Sequence, residues 1–172
     1  LARAFTGRDR IIACGYHGWQ DWYIGATTRS KGVPNSVQNL TTMVPFNDLN
    51  SVRNLLVSQP GEFAALIIEP ASTELPTGDF FQELKKLLHD HGVLLIFDEI
   101  ITGFRFSLGG AQELFNVIPD LTCLGKGMGN GMPISAITGR ADVMTEMEEI
   151  FFSDTFGGEA LSLAASLAVI KK

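Results

Sequence analysis

An acid and an amine follow two apolar runs and could together perform chemistry on a cofactor. The run Val93–Phe97 leads into Asp98 and Glu99, and Lys126 follows a second apolar run, 28 residues after Asp98 and between two glycines. A lysine amine can bind a carbonyl as an imine, and a carboxylate can keep a ring nitrogen protonated. The pair therefore suits a cationic heteroaromatic cofactor, provided that the fold brings both residues to one place.

The elements around this pair alternate between strands and helices. Asn47 is expected to cap a helix over 48–58, and Gly92 to end the clearest amphipathic helix, over 79–91. The polar stretch 21–45 predicts a long loop. The segment 159–172 is apolar almost all round, which predicts a buried helix. The remaining patterns predict strands over 10–15, 63–69, 93–98, 121–125 and 134–139, and helices over 108–116 and 141–149.

This alternation predicts an α/β fold, with a mostly parallel sheet and helices on both of its faces. Ligands bind such sheets outside the carboxyl ends of the strands. Tyr16, Glu69, Asp98 and Lys126 each follow a predicted strand at that end. We therefore expect these four side chains to converge on one rim.

Composition argues against several classes of protein. The net charge of −6, without a basic cluster, argues against a nucleic-acid partner. No apolar run reaches the roughly 18 residues that a membrane span needs. Cys14 and Cys123 lie in apolar runs far apart, as is typical of reduced, buried thiols in a cytoplasmic protein, and no metal site is predicted. Both ends of the sequence interrupt an element pattern, so we expect a fragment of a larger protein.

Two nucleotide-binding sites compete with an imine site. The run that ends in Asp98 and Glu99 has the form of a Walker B strand, which would indicate an ATPase. Its partner motif G-x-x-x-x-G-K-[ST] is absent, although a longer protein could contain it. The alternating glycines from Gly125 to Gly131 suggest a dinucleotide loop, but Asn130 breaks the G-x-G-x-x-G pattern.

Pyridoxal phosphate (PLP) fits the acid and the amine better. Its chemistry needs a lysine for the imine, a carboxylate beside the pyridine nitrogen, an aromatic face over the ring and donors for the phosphate. Lys126, Asp98, Tyr16 and Thr155 can supply these four functions. The glycines beside Lys126 also let the backbone approach a flat cofactor closely.

Five motifs resemble those of the class III aminotransferases, and they occur in the same order along nearly the whole chain. They are Tyr16-His17-Gly18, Ile-Ile-Glu69-Pro70, Leu-Ile-Phe-Asp98-Glu99-Ile-Ile-Thr-Gly-Phe-Arg105, Pro119-Asp-Leu-Thr-Cys-Leu-Gly-Lys126-Gly-Met-Gly-Asn-Gly-Met-Pro133 and Asp154-Thr155-Phe-Gly-Gly-Glu. The resemblance implies the large domain of a fold-type I, PLP-dependent transferase. Residues 1–172 would be part of that domain, with an N-terminal segment and a C-terminal small domain missing.

The same resemblance implies a function for each matching residue. Lys126 would form the Schiff base, Asp98 would pair with the pyridine nitrogen, and Tyr16 would stack on the ring with His17 beside it. Thr155 would reach the phosphate of the neighbouring subunit's cofactor, which implies a homodimer. The substrates would be a small-molecule amino donor and a carbonyl acceptor.

The branch of the family stays open. Thr102-Gly103-Phe104-Arg105 and the apolar Ile101 resemble the glutamate-1-semialdehyde aminomutases. Glu74 instead resembles a carboxylate that ornithine-type members hold near the substrate. An aminomutase and an aminotransferase acting on a small aldehyde or ketone are both expected possibilities.

Two further expectations concern activity. The family's upstream phosphate-binding segment and its C-terminal small domain are absent from the sequence, so residues 1–172 alone are expected to be inactive and to bind PLP weakly or not at all. A non-catalytic binding module derived from the same fold is the alternative, but such a module has no need of Lys126. Glu99 is expected to bond to the backbone at the end of its strand.

Overall fold

A computed structural model describes residues 1–153 and 155–171, and its central element is a six-stranded sheet. The strands are β1 (Arg10–Cys14), β2 (Thr41–Met43), β3 (Phe63–Ile68), β4 (Leu94–Glu99), β5 (Leu121–Leu124) and β6 (Ala136–Gly139). Their order across the sheet is β2-β1-β3-β4-β5-β6. The first five are parallel, and β6 runs antiparallel to β5. The predicted α/β fold with a mostly parallel sheet is therefore confirmed.

Helices cover both faces of the sheet. They are α1 (Ala2–Thr6), α2 (Asp21–Ile24), α3 (Asn35–Gln38), α4 (Leu49–Ser58), α5 (Phe80–Asp90), α6 (Gly110–Leu114), α7 (Ala141–Met144) and α8 (Ala160–Ile170). Short 3₁₀ helices span Lys126–Met128 and Thr145–Glu148. One core lies between the sheet and α4 and α5, and a second lies on the opposite face, against α1, α2 and α7.

Helix α5 forms where the sequence predicts it because its apolar side chains recur on one face. Phe81, Leu84 and Leu88 are almost completely buried, and Phe81 packs edge-on against Phe97 of β4. The helix ends at Asp90, and the chain then turns at Gly92, whose positive φ of 66° suits glycine. This packing fixes the position of β4, which carries Asp98.

A buried carboxylate ties the amino ends of β4 and β5 together. Asp120 accepts hydrogen bonds from the Leu95 amide (2.8 Å), from His89 Nε2 (2.9 Å) and from Arg140 Nη1 (2.8 Å). Burial by itself would raise the pKa of Asp120, but the hydrogen bonds from Arg140, Leu95 and His89 hold that pKa below its ordinary value. This cluster stabilises the end of the sheet opposite the predicted rim.

Some predicted elements are wrong in detail. The predicted loop over 21–45 contains α2, α3 and β2, since Trp22 and Tyr23 pack into the second core. Asp48, not Asn47, caps α4, because its carboxylate accepts the Ser51 amide at 3.0 Å. Asn47 has a φ of 60° and instead bonds to the 75–77 segment. The helix over 141–149 divides into α7 and a 3₁₀ turn, and the sequence patterns gave no sign of α1.

The prediction that the last helix is buried is also wrong. In α8 the small residues Ser162 and Ser166 face inward, whereas Leu161, Leu163 and Leu167 are exposed. Uniform apolarity does not reveal which face packs, because it leaves no contrast between the two sides of the helix. Lys172, the last residue of the predicted helix, lies outside the described residues. Within the described part of the chain, no helix is both long and apolar enough to cross a membrane.

Candidate active site at the carboxyl rim of the sheet

Four neighbouring strands, β1, β3, β4 and β5, end on one rim. Tyr16 and His17 follow β1, Glu69 follows β3, Asp98 is the second-last residue of β4, and Lys126 follows β5. The parallel register, with Asp98 opposite Cys123, aligns the ends of β4 and β5. The structure therefore places the residues at the predicted edge of the sheet, and individual contacts show which of them meet.

Asp98 and Glu99 are consecutive but point to opposite faces of the sheet, because side chains alternate along a strand. Asp98 is partly exposed at the rim, on the same face as Ile96. Glu99 is fully buried on the face of Phe97. The two acids therefore have separate environments, and Asp98 is the one that a ligand can reach.

Asp98 is held by His17. The Nδ1 atom of His17 lies 2.8 Å from Asp98 Oδ2, and its Nε2 atom lies 3.0 Å from the carbonyl oxygen of Cys14. The His17 side chain is only 1% exposed. Both ring nitrogens face oxygen atoms. The carbonyl oxygen of Cys14 can only accept, so Nε2 must carry a proton and donate it. The contact between Nδ1 and Asp98 Oδ2 is then a hydrogen bond only if a second proton lies between these two atoms.

Tyr16 is fixed through its backbone. Its amide donates to Glu69 Oε2 at 2.8 Å, and a Cβ atom at Gly15, where φ is 100°, would lie 2.7 Å from the same oxygen. The Tyr16 ring is 60% exposed and meets Tyr23 edge-on, with 5.7 Å between centroids. Glu69 thus anchors the turn that presents an aromatic face at the rim.

Aromatic residues missed by sequence reasoning form a wall behind His17. Trp22 stacks on the His17 ring with 6.0 Å between centroids, and the Tyr23 hydroxyl donates to the Gly15 carbonyl at 2.9 Å. Two adjacent aromatics in an otherwise polar stretch were the available signal. They hold the turn after β1 in place.

Lys126 lines a cavity of about 430 Å³. Its backbone has a positive φ of 37°. Positive φ is uncommon for a residue with a side chain, and such strain occurs often at functional sites. Arg105 lines the same cavity, with Gly127, Asn130, Gly131, Met132, Pro133 and Ile134. Sequence reasoning did not assign Arg105 to the site.

The Glu99 side chain joins the two ends of the segment between β4 and α6 through a ring of hydrogen bonds. Its carboxylate accepts the Thr102 hydroxyl (2.9 Å), the Ala111 amide (2.6 Å) and both the amide and side-chain nitrogens of Gln112 (3.1 Å each). Gly110 has a φ of 74° and packs directly on the carboxylate. The expectation that Glu99 bonds to backbone is confirmed, and its function is structural.

Three predicted site residues remain apart from the Asp98–His17 pair, since in the described ranges no hydrogen bond joins Lys126, Glu74 or Thr155 to it. Glu74 and Thr155 are both exposed, and no hydrogen bond in the described ranges joins either of them to Asp98 or Lys126. Glu74 still acts electrostatically, because burial first, and then the charges of Glu69 and Glu74, raise the pKa of Cys14 to about 12. Asp154, part of the Thr155 motif, lies outside the described residues. Among residues 1–153 and 155–171, no group of three acids, histidines or cysteines could hold a metal.

Comparison with known proteins shows which family shares this sequence and fold. The sheet, with its acid–histidine pair and lysine cavity at the carboxyl rim, has the fold of solved aminotransferases. The model of the class-III aminotransferase family matches residues 1–172, and the chain belongs to that family. The resemblance inferred from the motifs is thereby confirmed. The comparisons give no support to a Walker-type ATPase or to a non-catalytic binding module.

Individual relatives and solved structures show how similar this chain is to known members of the family. A glutamate-1-semialdehyde 2,1-aminomutase from Archaeoglobus fulgidus is 43% identical, over 99% of this chain and 45% of the relative. The solved omega-transaminase from Sphaerobacter thermophilus has a TM-score of 0.89 at 30% identity, over 99% of this chain and 45% of that one. A Sphingopyxis protein, solved in its PLP internal aldimine form, has a TM-score of 0.90 at 28% identity. The match covers 99% of this chain and 42% of that one. The chain thus spans less than half the length of the relatives it matches.

Proposed function

We propose that the protein to which this chain belongs is a PLP-dependent enzyme that moves an amino group. The observation that carries this proposal is the rim itself, where the Asp98–His17 pair and the Lys126 cavity end adjacent strands. The match to class-III aminotransferases and the PLP-bound state of a solved neighbour support it. Because the chain covers under half of its relatives, the activity is proposed for the whole protein.

The residues present fit PLP. Asp98 Oδ1 accepts the Ile100 amide at 3.2 Å and Oδ2 meets His17, yet each carboxylate oxygen can accept a further bond. The Asp98 side chain keeps 13% exposure, so a ring nitrogen can reach it. Lys126 is exposed at its cavity, so its amine is accessible.

Each residue would have a separate task. PLP, when bound, supplies a ring that accepts electrons from the carbon next to the substrate nitrogen. Lys126 would hold the cofactor covalently through Nζ until the substrate amine takes its place, and the released Lys126 amine would then move the proton at that carbon. Asp98 would keep the ring nitrogen protonated, and His17 would fix the Asp98 carboxylate. Tyr16 would pack on the ring face.

Three finer assignments belong to the same proposal. Thr155 would bind the phosphate of a neighbouring subunit's cofactor, which makes the enzyme a homodimer. Glu74 would lie near the substrate, in agreement with its exposed position after β3. Residues 1–172 would be part of the large domain, and a cytoplasmic location remains a prediction. We expect these residues alone to bind PLP weakly, so a tight complex of residues 1–172 with PLP would contradict this assignment.

Among the possible reactions, the relatives favour that of an aminomutase, which moves an amino group within one molecule. Several curated relatives at 40–43% identity are glutamate-1-semialdehyde 2,1-aminomutases. The apolar Ile101, exposed just beyond β4, also resembles that branch. Transfer from a separate amino donor to a small aldehyde or ketone is the other form of the proposal.

The test uses the full-length protein. Lys126→Ala should abolish amino-group transfer and the visible absorbance of bound PLP, whereas the matched change Lys31→Ala, at an exposed site, should leave both unaltered. Turnover of glutamate-1-semialdehyde without an added acceptor would identify an aminomutase. Unchanged activity in Lys126→Ala would overturn the proposal.

A further inference from the structure

The turn after β4 packs directly against the loop that carries Lys126. A Cβ atom at Gly127 would lie 3.1 Å from the Gly103 carbonyl oxygen and 3.7 Å from Arg105 Nε. The Arg105 side chain therefore lies across the backbone of Gly127, next to Lys126. A side chain at position 127 would press on the Gly103 carbonyl, so glycine suits this close approach of the Lys126 loop to the turn that carries Arg105.

The turn that carries Arg105 is held rigidly. The Gly103 amide donates to the Glu99 carbonyl at 2.8 Å, and the Arg105 amide donates to the Thr102 carbonyl at 3.1 Å. The Thr102 hydroxyl is bound in turn by the buried Glu99 carboxylate. Phe104 has a φ of 60°, a strained conformation for a residue with a side chain. The ring of bonds around Glu99 stabilises this strained turn.

The charges around the cavity favour an anion. Arg105 and Lys126 place two cations on its wall, and its described lining contains no acidic side chain. In the described ranges, Arg105 donates no side-chain hydrogen bond, so its guanidinium donors remain available. A chain with a net charge of −6 thus gathers positive charge at the position of its proposed catalytic amine.

We propose that Arg105 binds an oxyanion group of a ligand in the Lys126 cavity. The guanidinium plane matches two oxygens of one carboxylate or phosphate, which a lysine cannot do. The oxyanion has two sources, a carboxylate of the substrate or the phosphate of PLP. This inference rests on the proposed function, because it assigns a specificity-determining residue to the same site.

The experiment compares Arg105→Gln and Arg105→Lys with Arg53→Gln, a matched change at an exposed arginine on α4. Calorimetry on the full-length protein measures glutarate binding without cofactor, and then PLP binding against pyridoxal, which lacks the phosphate. If the substrate supplies the oxyanion, Arg105→Gln weakens glutarate binding by about tenfold to a hundredfold. If the cofactor supplies it, the preference for PLP over pyridoxal falls by a similar factor.

The Lys variant separates geometry from charge. Arg105→Lys should recover only part of the loss, because it keeps the charge but not the two-pronged contact. Circular dichroism of each variant checks that the turn and sheet remain folded. Unchanged affinity for glutarate, PLP and pyridoxal in a folded Arg105→Gln protein overturns the inference. Glutarate binding is measured without turnover, so this result is distinct from a failure of Lys126→Ala to abolish amino transfer.

Discussion

His17 Nδ1 lies 2.8 Å from Asp98 Oδ2 and thereby joins the turn after β1 to the end of β4. The opposite ring nitrogen meets the carbonyl oxygen of Cys14, so the imidazole is fixed at both ends. Trp22 covers one of its faces. The acid at the proposed cofactor site is therefore oriented by a buried side chain from a strand two positions away in the sheet.

Replacing His17 should weaken cofactor binding through Asp98. In the full-length protein, His17→Phe removes both contacts and is expected to lower PLP affinity and kcat by about tenfold to a hundredfold. His17→Asn keeps a donor near the position of Nδ1 and should recover part of the loss. Cofactor titration and steady-state kinetics measure both effects, with His91→Asn at the end of α5 as the control. Equal values for His17→Phe and wild type would show that Asp98 needs no partner.

Adding one methyl group at Gly110 should destabilise the fold more than the backbone alone explains. A Cβ there would lie 2.9 Å from Glu99 Cδ and closer still to Oε2, at a φ of 74°. We expect Gly110→Ala to lower the free energy of unfolding by about 3 kcal/mol. Gly78→Ala, at φ 55° with open space around it, should cost about 1 kcal/mol. Urea denaturation compares the two, and similar losses would contradict the contact with Glu99.

The Asp120 cluster should make stability depend on acid pH. The pKa of Asp120 is lowered in the folded state from 3.8, so its stabilisation is fully present above that pH and is lost as the pH falls through the lower folded value. Asp120→Asn should cost roughly 3 kcal/mol at pH 7 and flatten the loss of stability below about pH 4. Urea denaturation at a series of pH values tests this, with Asp9→Asn as the control. An unchanged acid slope in Asp120→Asn would refute the assignment.

Both cysteines should resist alkylation in the folded protein. Burial and the charges of Glu69 and Glu74 raise the pKa of Cys14 to about 12. Burial, and to a lesser extent the charge of Asp98, raises the pKa of Cys123 to about 11. At pH 8 only about one thiol in a thousand at Cys123, and fewer at Cys14, is a reactive thiolate. Mass spectrometry after brief iodoacetamide treatment should find both peptides unmodified, and modified after unfolding in guanidinium. Rapid labelling of Cys123 before unfolding would be inconsistent with its environment.

Strand positions followed from the sequence because the central strands are apolar on both faces. Phe63–Ile68 is buried at every position, and such a run leaves little doubt about a covered parallel strand. The end of β4 followed for the same reason, since the apolar run stops where Asp98 begins. The rim could then be predicted, because parallel strands share their carboxyl edge.

Contacts between distant segments could not be predicted in the same way. The Glu69 bond to the Tyr16 amide joins residues 53 apart, and no local pattern encodes that separation. Arg105 was visible within a motif, but only the close approach of Gly103 to Gly127 reveals that it lines the Lys126 cavity. Pattern reasoning identified the acid and the amine, whereas the position of the Arg105 cation beside the amine could be seen only in the folded chain.

The outward leucines of α8 have a consequence for handling the protein. Leu161 and Leu167 are each more than half exposed, and Phe151 and Phe156 in the preceding segment are likewise open to water. Exposed large apolar side chains such as these promote self-association. A polypeptide of residues 1–172 made by itself should therefore precipitate at concentrations where the same polypeptide carrying Leu161→Gln and Leu167→Gln stays dispersed. Light scattering during expression trials would detect this difference before any assay of catalysis.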